Sequence, residues 1–213
     1  MSCDHKFIND LNLERTDFEP STLIVGSFYP QWPENNTEWF YGQTHDASTK
    51  RINHFWDILP RIYGEPGLMD ASPAEWKQFC HEKKLAITCL IRSIDDADPN
   101  DPAHAKILAS IDDQAIVWRF DDFIFINITD ILRKHPTIRN VYLTRGITEA
   151  FWRHAWNPVM QYCKLNGLHE RRLLSPTAQS RYQHETYNNE NPDKQIALLE
   201  DYILMRWQQE WHL

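Results

Sequence analysis

The residue types best suited to chemistry crowd into one stretch, GSFYPQWPENNTEWFYGQTHDASTKRINHFW, from Gly26 to Trp56. Six aromatic rings (Phe28, Tyr29, Trp32, Trp39, Phe40 and Tyr41) precede Gly42, and faces of that kind suit a flat, stacked ligand. Asn53, His54 and Asp57 follow, so the aromatic faces are joined by polar groups able to hold a water or a proton. Other chemistries are poorly supplied. His45 and His54 are the one close histidine pair in this region, and two imidazoles without a third ligand are a weak metal signal. Cys3, Cys80, Cys89 and Cys163 form no C-x-x-C pair and match neither a zinc site nor an iron–sulfur cluster. No Ser or Cys stands in a nucleophile-elbow pattern. No metal and no cofactor are expected.

The elements that must position these groups can be read from apolar patterning. Thr22-Leu23-Ile24-Val25, bounded by Pro20 and by Gly26-Ser27, is too short for a helix and reads as a strand buried on both faces. The aromatic loop therefore leaves the C-terminal end of a strand, where α/β proteins bind ligands. Ser48 or Thr49 would cap a helix from about Arg51 to Tyr63. Ser72 caps a second helix over Pro73 to Lys83. Leu85 to Leu90, Val141 to Thr144 and Arg172 to Leu174 supply further strands, with an exposed loop from Ser93 to Pro102. Ala103 to Ser110 reads as a short helix. Ile116 to Trp118 with Phe123 to Ile126 reads either as a strand pair or as a strand leading into a helix that ends near His135-Pro136. Thr148 to Asn166 is an amphipathic helix stopped by Gly167, and a last helix runs from Pro192 to Trp211 with Asn191 as its cap. The pattern predicts one domain over residues 1–213, an α/β fold. Its form is a three-layer α/β/α sandwich around a mainly parallel four-stranded sheet, with strands near 22–26, 85–90, 141–145 and 171–175. Phe7, Ile8, Leu11 and Leu13 would anchor the N-terminal segment.

Gly26-Ser27-Phe28-Tyr29-Pro30, Phe40-Tyr41 and Asn53-His54-Phe55-Trp56 together resemble the first motif region of the uracil-DNA glycosylase superfamily. They are most similar to its hypoxanthine-DNA glycosylase branch, with a pattern of roughly G-S-F-P-G, an aromatic pair and N-x-F-W. Val141 to Gly146 stands where that family has a strand ending in an F-N-G-like turn. Leu174-Ser175-Pro176-Thr177-Ala178-Gln179-Ser180-Arg181 resembles its second, Ser/Pro-rich motif. The likeness spans residues 22 to about 182 and rests on the order and spacing of these segments.

That resemblance implies an enzyme that hydrolyses the N-glycosidic bond of a deaminated or damaged base, hypoxanthine or uracil, flipped out of DNA. Asn53 would be the functional polar residue, and because an amide cannot deprotonate water it would orient one. The alternative is that Asn53 bonds loop backbone at the helix start. Asp46 is a second water-holding candidate, or a loop residue bonded to its own backbone. Phe40 and Tyr41 would stack on the base or fill the core. Gly26, Ser27 and Phe28 line the substrate loop, and Thr88 and Cys89 would read the base edge through backbone amides or be core. Ser175, Thr177 and Ser180 suit phosphate oxygens, Gln179 stands at the wedge position, and Arg181 suits a phosphate or the widowed base. Phe28 departs from relatives with Asp or Asn there, and Gln179 from those with an apolar wedge. Arg92 and Asp101 fit a family loop only loosely.

Composition bounds the remainder. A chain of 213 residues, 42% hydrophobic with nine Trp, can build a substantial core. A polar N-terminus and the lack of a long apolar run predict neither a secretory signal nor a membrane span, reduced thiols fit a cytoplasmic protein, and of the oligomeric states, which sequence leaves open, a monomer is favoured. Net charge of −8 opposes a duplex-DNA partner, which usually meets a basic footprint. Two other readings therefore stand beside DNA repair: a non-catalytic protein of this fold binding a nucleobase, nucleotide or protein partner, and hydrolysis of a free nucleoside.

Overall fold

A strand whose residues are apolar without alternation has two faces to bury, and a parallel sheet covered on both faces buries both. Thr22–Gly26 meets that condition in the computed structural model, which describes residues 2–32, 35–42, 53–98, 100–110 and 112–212. In chain order the strands are β1 (Cys3–Asp4), β2 (Thr22–Gly26), β3 (Leu85–Cys89), β4 (Ile91–Ile94), β5 (Phe123–Phe125), β6 (Asn140–Leu143) and β7 (His169–Arg172). The helices are α1 (Phe55–Ile62), α2 (Pro73–Lys83), α3 (Pro102–Ser110), α4 (Asp113–Arg119), α5 (Ile128–Lys134), α6 (Ala150–Asn166), α7 (Arg181–Glu190) and α8 (Leu199–Glu210). They fold as two compact units. One comprises Met1–Asn36, Lys84–Leu143 and Ile147–Glu170, and the other Thr37–Lys83, Thr144–Gly146 and Arg171–Leu213.

The four-stranded sheet has the order β3-β2-β6-β7, and its strands β2, β3 and β6 lie wholly in the first unit. β2 pairs in parallel with β3, from Thr22 opposite Leu85 to Gly26 opposite Cys89, and with β6, from Thr22 opposite Asn140 to Val25 opposite Leu143. Every residue of β2 and β3 is buried, so the α/β fold with its parallel sheet is as the sequence predicts. A second sheet is not foreseen. Its order is β1-β4-β5, both pairings antiparallel, and it places Ile91–Ile94 in a strand where the sequence suggests the onset of an exposed loop. Leu11 and Leu13 are buried and anchor the N-terminal segment.

Two further corrections and one resolved alternative concern the middle and later strands. Ile116 to Trp118 is not a strand but part of α4. Its start is capped by Asp112, whose carboxylate accepts from Gln114 N and Ala115 N, and that cap outweighs the β-branched Ile-Val pair. Phe123–Phe125 is then the strand and α5 the helix of the second reading above. β7 lies at His169–Arg172 rather than 171–175, because Leu173 turns into the core after the strand has ended.

The second unit is helical. α2 starts where Ser72 places it, through a capping box. The Glu75 carboxylate accepts from both Ser72 N and Ser72 Oγ at 2.8 Å, while Ser72 Oγ accepts from Glu75 N. α1 starts at Phe55 rather than Arg51, since Asn53 is engaged in a β-bridge; the predicted caps Ser48 and Thr49 lie outside the described residues. The predicted terminal helix starts later, at Leu199, and a further helix, α7, precedes it. Asn191 closes α7 instead of opening α8. Indoles fasten the intervening segments: Trp56 Nε1 donates to Phe40 O (2.9 Å), Trp76 Nε1 to Leu68 O (2.7 Å) and Trp207 Nε1 to Leu174 O (2.8 Å). Trp39, Trp56 and Trp76 stack in series, and Arg61 of α1 bridges Asp57 and Asp201, tying α1 to α8.

Candidate functional site

In the second unit the two motif segments lie side by side. Asn53 forms an antiparallel bridge with Thr177, and His54 N donates to Pro176 O at 2.7 Å. Asn53 Oδ1 accepts from Phe55 N at 3.0 Å, so the side chain folds over the first turn of α1 and satisfies one of its orphan amides. That bond fixes the amide; its oxygen retains a second lone pair, and the residue is half-buried. Asp46, the other predicted water holder, lies outside the described residues.

The segment Ser175 to Arg181 is built from its own hydroxyls. Ser175 Oγ and Thr177 Oγ1 are 3.0 Å apart, Thr177 Oγ1 accepts from Gln179 N, and Ser180 Oγ donates to Ser175 O at 2.6 Å. Ser180 is 1% exposed, so its hydroxyl shapes the turn. Ser175 and Thr177 are half-buried, while Gln179 and Arg181 project to solvent. Arg181 is the first residue of α7, entered through a 3₁₀ turn over Ala178–Ser180.

Phe40 and Tyr41 are both buried. Tyr41 takes φ +58°, a left-handed conformation that is uncommon for a side chain of this size and that the surroundings must hold in place. They do so from two directions. Its hydroxyl shares a 2.8 Å hydrogen bond with Thr144 Oγ1, and its ring lies flat on Phe55, centroids 3.8 Å apart and 8° from parallel. The following Gly42 has no space for a side chain: a Cβ there would stand 2.6 Å from Trp76 Cζ3 and 3.0 Å from Trp39 O. Thr144 lies in the segment Val141 to Gly146 marked in the sequence, but its bond to Tyr41 is not foreseen there. A hydroxyl directly after the apolar run Val141 to Leu143 is the signal that could have marked it.

His54 completes this cluster. Burial lowers its pKa from the usual imidazole value, against the pull of Glu200 and Asp57, and its Nδ1 stands 4.0 Å from Glu200 Oε2. Burial thus disfavours the charged form of the ring.

The remaining predicted residues belong to the first unit. Gly26 O accepts from Leu90 N and Ser27 O from Ile91 N, so the exit of β2 is zipped to the segment after β3. Phe28 and Tyr29 are buried against His5, ring centroids 5.7 Å away in both cases. Thr88 Oγ1 donates to Leu11 O at 2.5 Å, and burial pushes the Cys89 thiol well above its ordinary pKa. Both side chains are core. Among the described residues no group of three or more His, Cys, Asp or Glu is placed to hold a metal ion.

Charge is divided unequally. The first unit's sequence has 11 Lys and Arg against 17 Asp and Glu, a net −6, and the second, which holds Asn53 and Ser175 to Arg181, has 11 against 13, a net −2. No helix is long and apolar enough to cross a membrane among the described residues.

No family model matches the chain, and no curated protein does. Among solved structures, it is similar to the solution NMR structure of a candidate uracil DNA glycosylase from Methanosarcina acetivorans. The two share 12% sequence identity and a TM-score of 0.51, over 88% of this chain and 92% of that one. At that identity the likeness shows the fold.

Proposed function

We propose that the protein is a monofunctional DNA glycosylase that removes a deaminated base, hypoxanthine or uracil, from DNA. The observation that carries this reading is the bridge between Asn53 and Thr177, with its companion bond from His54 N to Pro176 O. Two segments more than a hundred residues apart in sequence become neighbours, as a site built from both requires.

In this reading the nucleotide leaves the stack before reaction. Water bonds to C1′ as the C1′–N bond breaks, the electron pair leaves with the base, and the water's proton ends on the base or in solvent. Asn53 Oδ1, held by Phe55 N, orients that water through its remaining lone pair. Tyr41 offers the base the ring face that Phe55 does not occupy. The ring is 4% exposed, so the base reaches it by displacing what covers it. Ser175, Thr177 and Arg181 meet phosphates or the widowed base, Gln179 points toward the vacated stack, and Ser180 keeps the turn in shape.

The test is incubation with end-labelled oligonucleotides bearing uracil or hypoxanthine, followed by alkali. Cleavage at the lesion supports the proposal, and an uncut strand from both at large protein excess removes it. A non-catalytic binder of a nucleobase, nucleotide or protein is the second reading, favoured by the engagement of Asn53 Oδ1 with backbone. Saturable lesion binding without any product selects it.

A further inference from the structure

We propose that the open edge of β5 docks an extended, lysine- or arginine-bearing segment of a partner protein. This surface lies in the first unit and does not rest on the glycosylase reading. β5 is an outer strand of its sheet and consists of three large apolar residues, Phe123, Ile124 and Phe125. Ile124 is 41% and Phe125 38% exposed. Soluble proteins protect strand edges with charge, proline or a covering element, because unpaired amides recruit other chains. β5 has no charged residue or proline within it.

The main chain of β5 is arranged for pairing. Asp122 O accepts from Asp95 N and Ile126 N donates to Leu90 O, so the even-numbered residues face β4. By the alternation of an antiparallel ladder, the N–H and C=O groups of Phe123 and Phe125 point to the open side. Aromatic surface continues beside them. Phe151 of α6 packs on Phe123 at 4.8 Å and on Phe125 at 5.5 Å. Trp118 is 81% exposed, and the Gln114 amide, oriented to satisfy both neighbours, joins its indole to the Glu149 carboxylate near Phe151.

Charge complementarity selects the occupant. From Ile91 to Phe125 the sequence has eight Asp and three Lys or Arg. The Asp96 carboxylate accepts from Asp121 N at 2.9 Å and from Asp122 N at 3.4 Å, which fixes two exposed carboxylates directly ahead of the strand. Nucleic acid would be repelled, and a second copy would bring the same acidic surplus rather than the cations this surface calls for. A strand alternating basic and apolar residues satisfies every feature. Its main chain pairs with Phe123 and Phe125, its apolar side chains rest on Phe125 and Phe151, and its cations reach Asp96, Asp121 and Asp122.

The probe is a fluorescein-labelled eight-residue peptide alternating lysine and valine, with a glutamate–valine peptide as control. The full chain is titrated by anisotropy at low and high salt. The proposal expects saturable, salt-sensitive binding of the lysine peptide alone, and weakening of about tenfold or more by the double substitution Asp121→Lys with Asp122→Lys. Phe125→Pro deletes one outward N–H and the ring that rests on Phe151 while leaving the bonds to β4, and should weaken binding by about tenfold or more in a variant that still melts cooperatively. Hydrogen exchange guards against a misfolded variant and against binding elsewhere, since saturating peptide must slow exchange at Phe123 and Phe125 in the unmodified chain. No saturable binding, equal affinity in the double Lys variant, or no protection at those two amides overturns the proposal.

Discussion

A single substitution separates the backbone bond that Asn53 makes from the water-orienting role proposed for it. Asn53→Ala removes the acceptor held 3.0 Å from Phe55 N, a capping-type bond whose loss typically costs about 1 kcal/mol. For a chain of this size that lowers the melting temperature by roughly 2–4 °C. If the same oxygen also orients the hydrolytic water, the single-turnover rate on lesion DNA falls by about 10²–10⁴. In barrier terms that is roughly 3–5 kcal/mol, several times the structural loss. Asn53→Asp supplies the control. A carboxylate keeps the acceptor, suits a helix N-terminus and can itself take a proton, so both the fold and a rate within about tenfold of the unmodified protein should survive. The assay is excision at saturating protein, with circular dichroism melts on the same samples. Should Asn53→Ala melt lower yet excise at full rate, the residue is a capping residue and the orienting role is wrong. If Asp46→Ala then collapses, the water is held there instead.

Other substitutions probe the remaining contacts. Arg181→Ala should weaken lesion-DNA binding and reduce the slope of log affinity against log salt by about one, read from filter-binding titrations; an unchanged slope removes Arg181 from the phosphate contacts. Gly42→Ala drives a methyl into Trp76 and the Trp39 carbonyl and should destabilise by about 1–3 kcal/mol in urea, where a neutral result would mean that the tryptophan stack yields. Burial lowers the pKa of His5 from 6.5 to about 3. The unfolded chain therefore binds a proton that the folded one refuses between those values, and stability attributable to His5 falls as pH drops through that window and is level above it. Urea midpoints across that range, compared with His5→Phe, check this; a parallel pH profile for the variant contradicts it.

What could be read from sequence follows the physics of each segment. β2 and β3 were legible because buried parallel strands leave an uninterrupted apolar run, and α2 because Ser72 and Glu75 announce its first turn. β4 was hidden, since Ile91-Arg92-Ser93-Ile94 is too short and mixed to stand out beside the acidic loop that follows it. α7, with its polar RYQHETYNNE, presents little apolar periodicity: of its ten residues only His184 is buried. The site divides in the same way. Asn53 and the Ser175 to Arg181 segment were recognisable by type and order, and tertiary pairing brings them together. The partnership of Tyr41 with Thr144 and Phe55 was not, because it depends on a left-handed backbone at Tyr41 and on residues distant in the chain. Nor does sequence disclose that the Ser180 hydroxyl turns inward, since a serine in a loop has the same letter whether it faces phosphate or its own backbone.

The most direct measurement is mass spectrometry of both products after one turnover of excess protein on a duplex with a single uracil or hypoxanthine. The account predicts free base and an uncut strand with an abasic site, in equal amounts. Unchanged DNA with no free base, or a broken strand without released base, contradicts it.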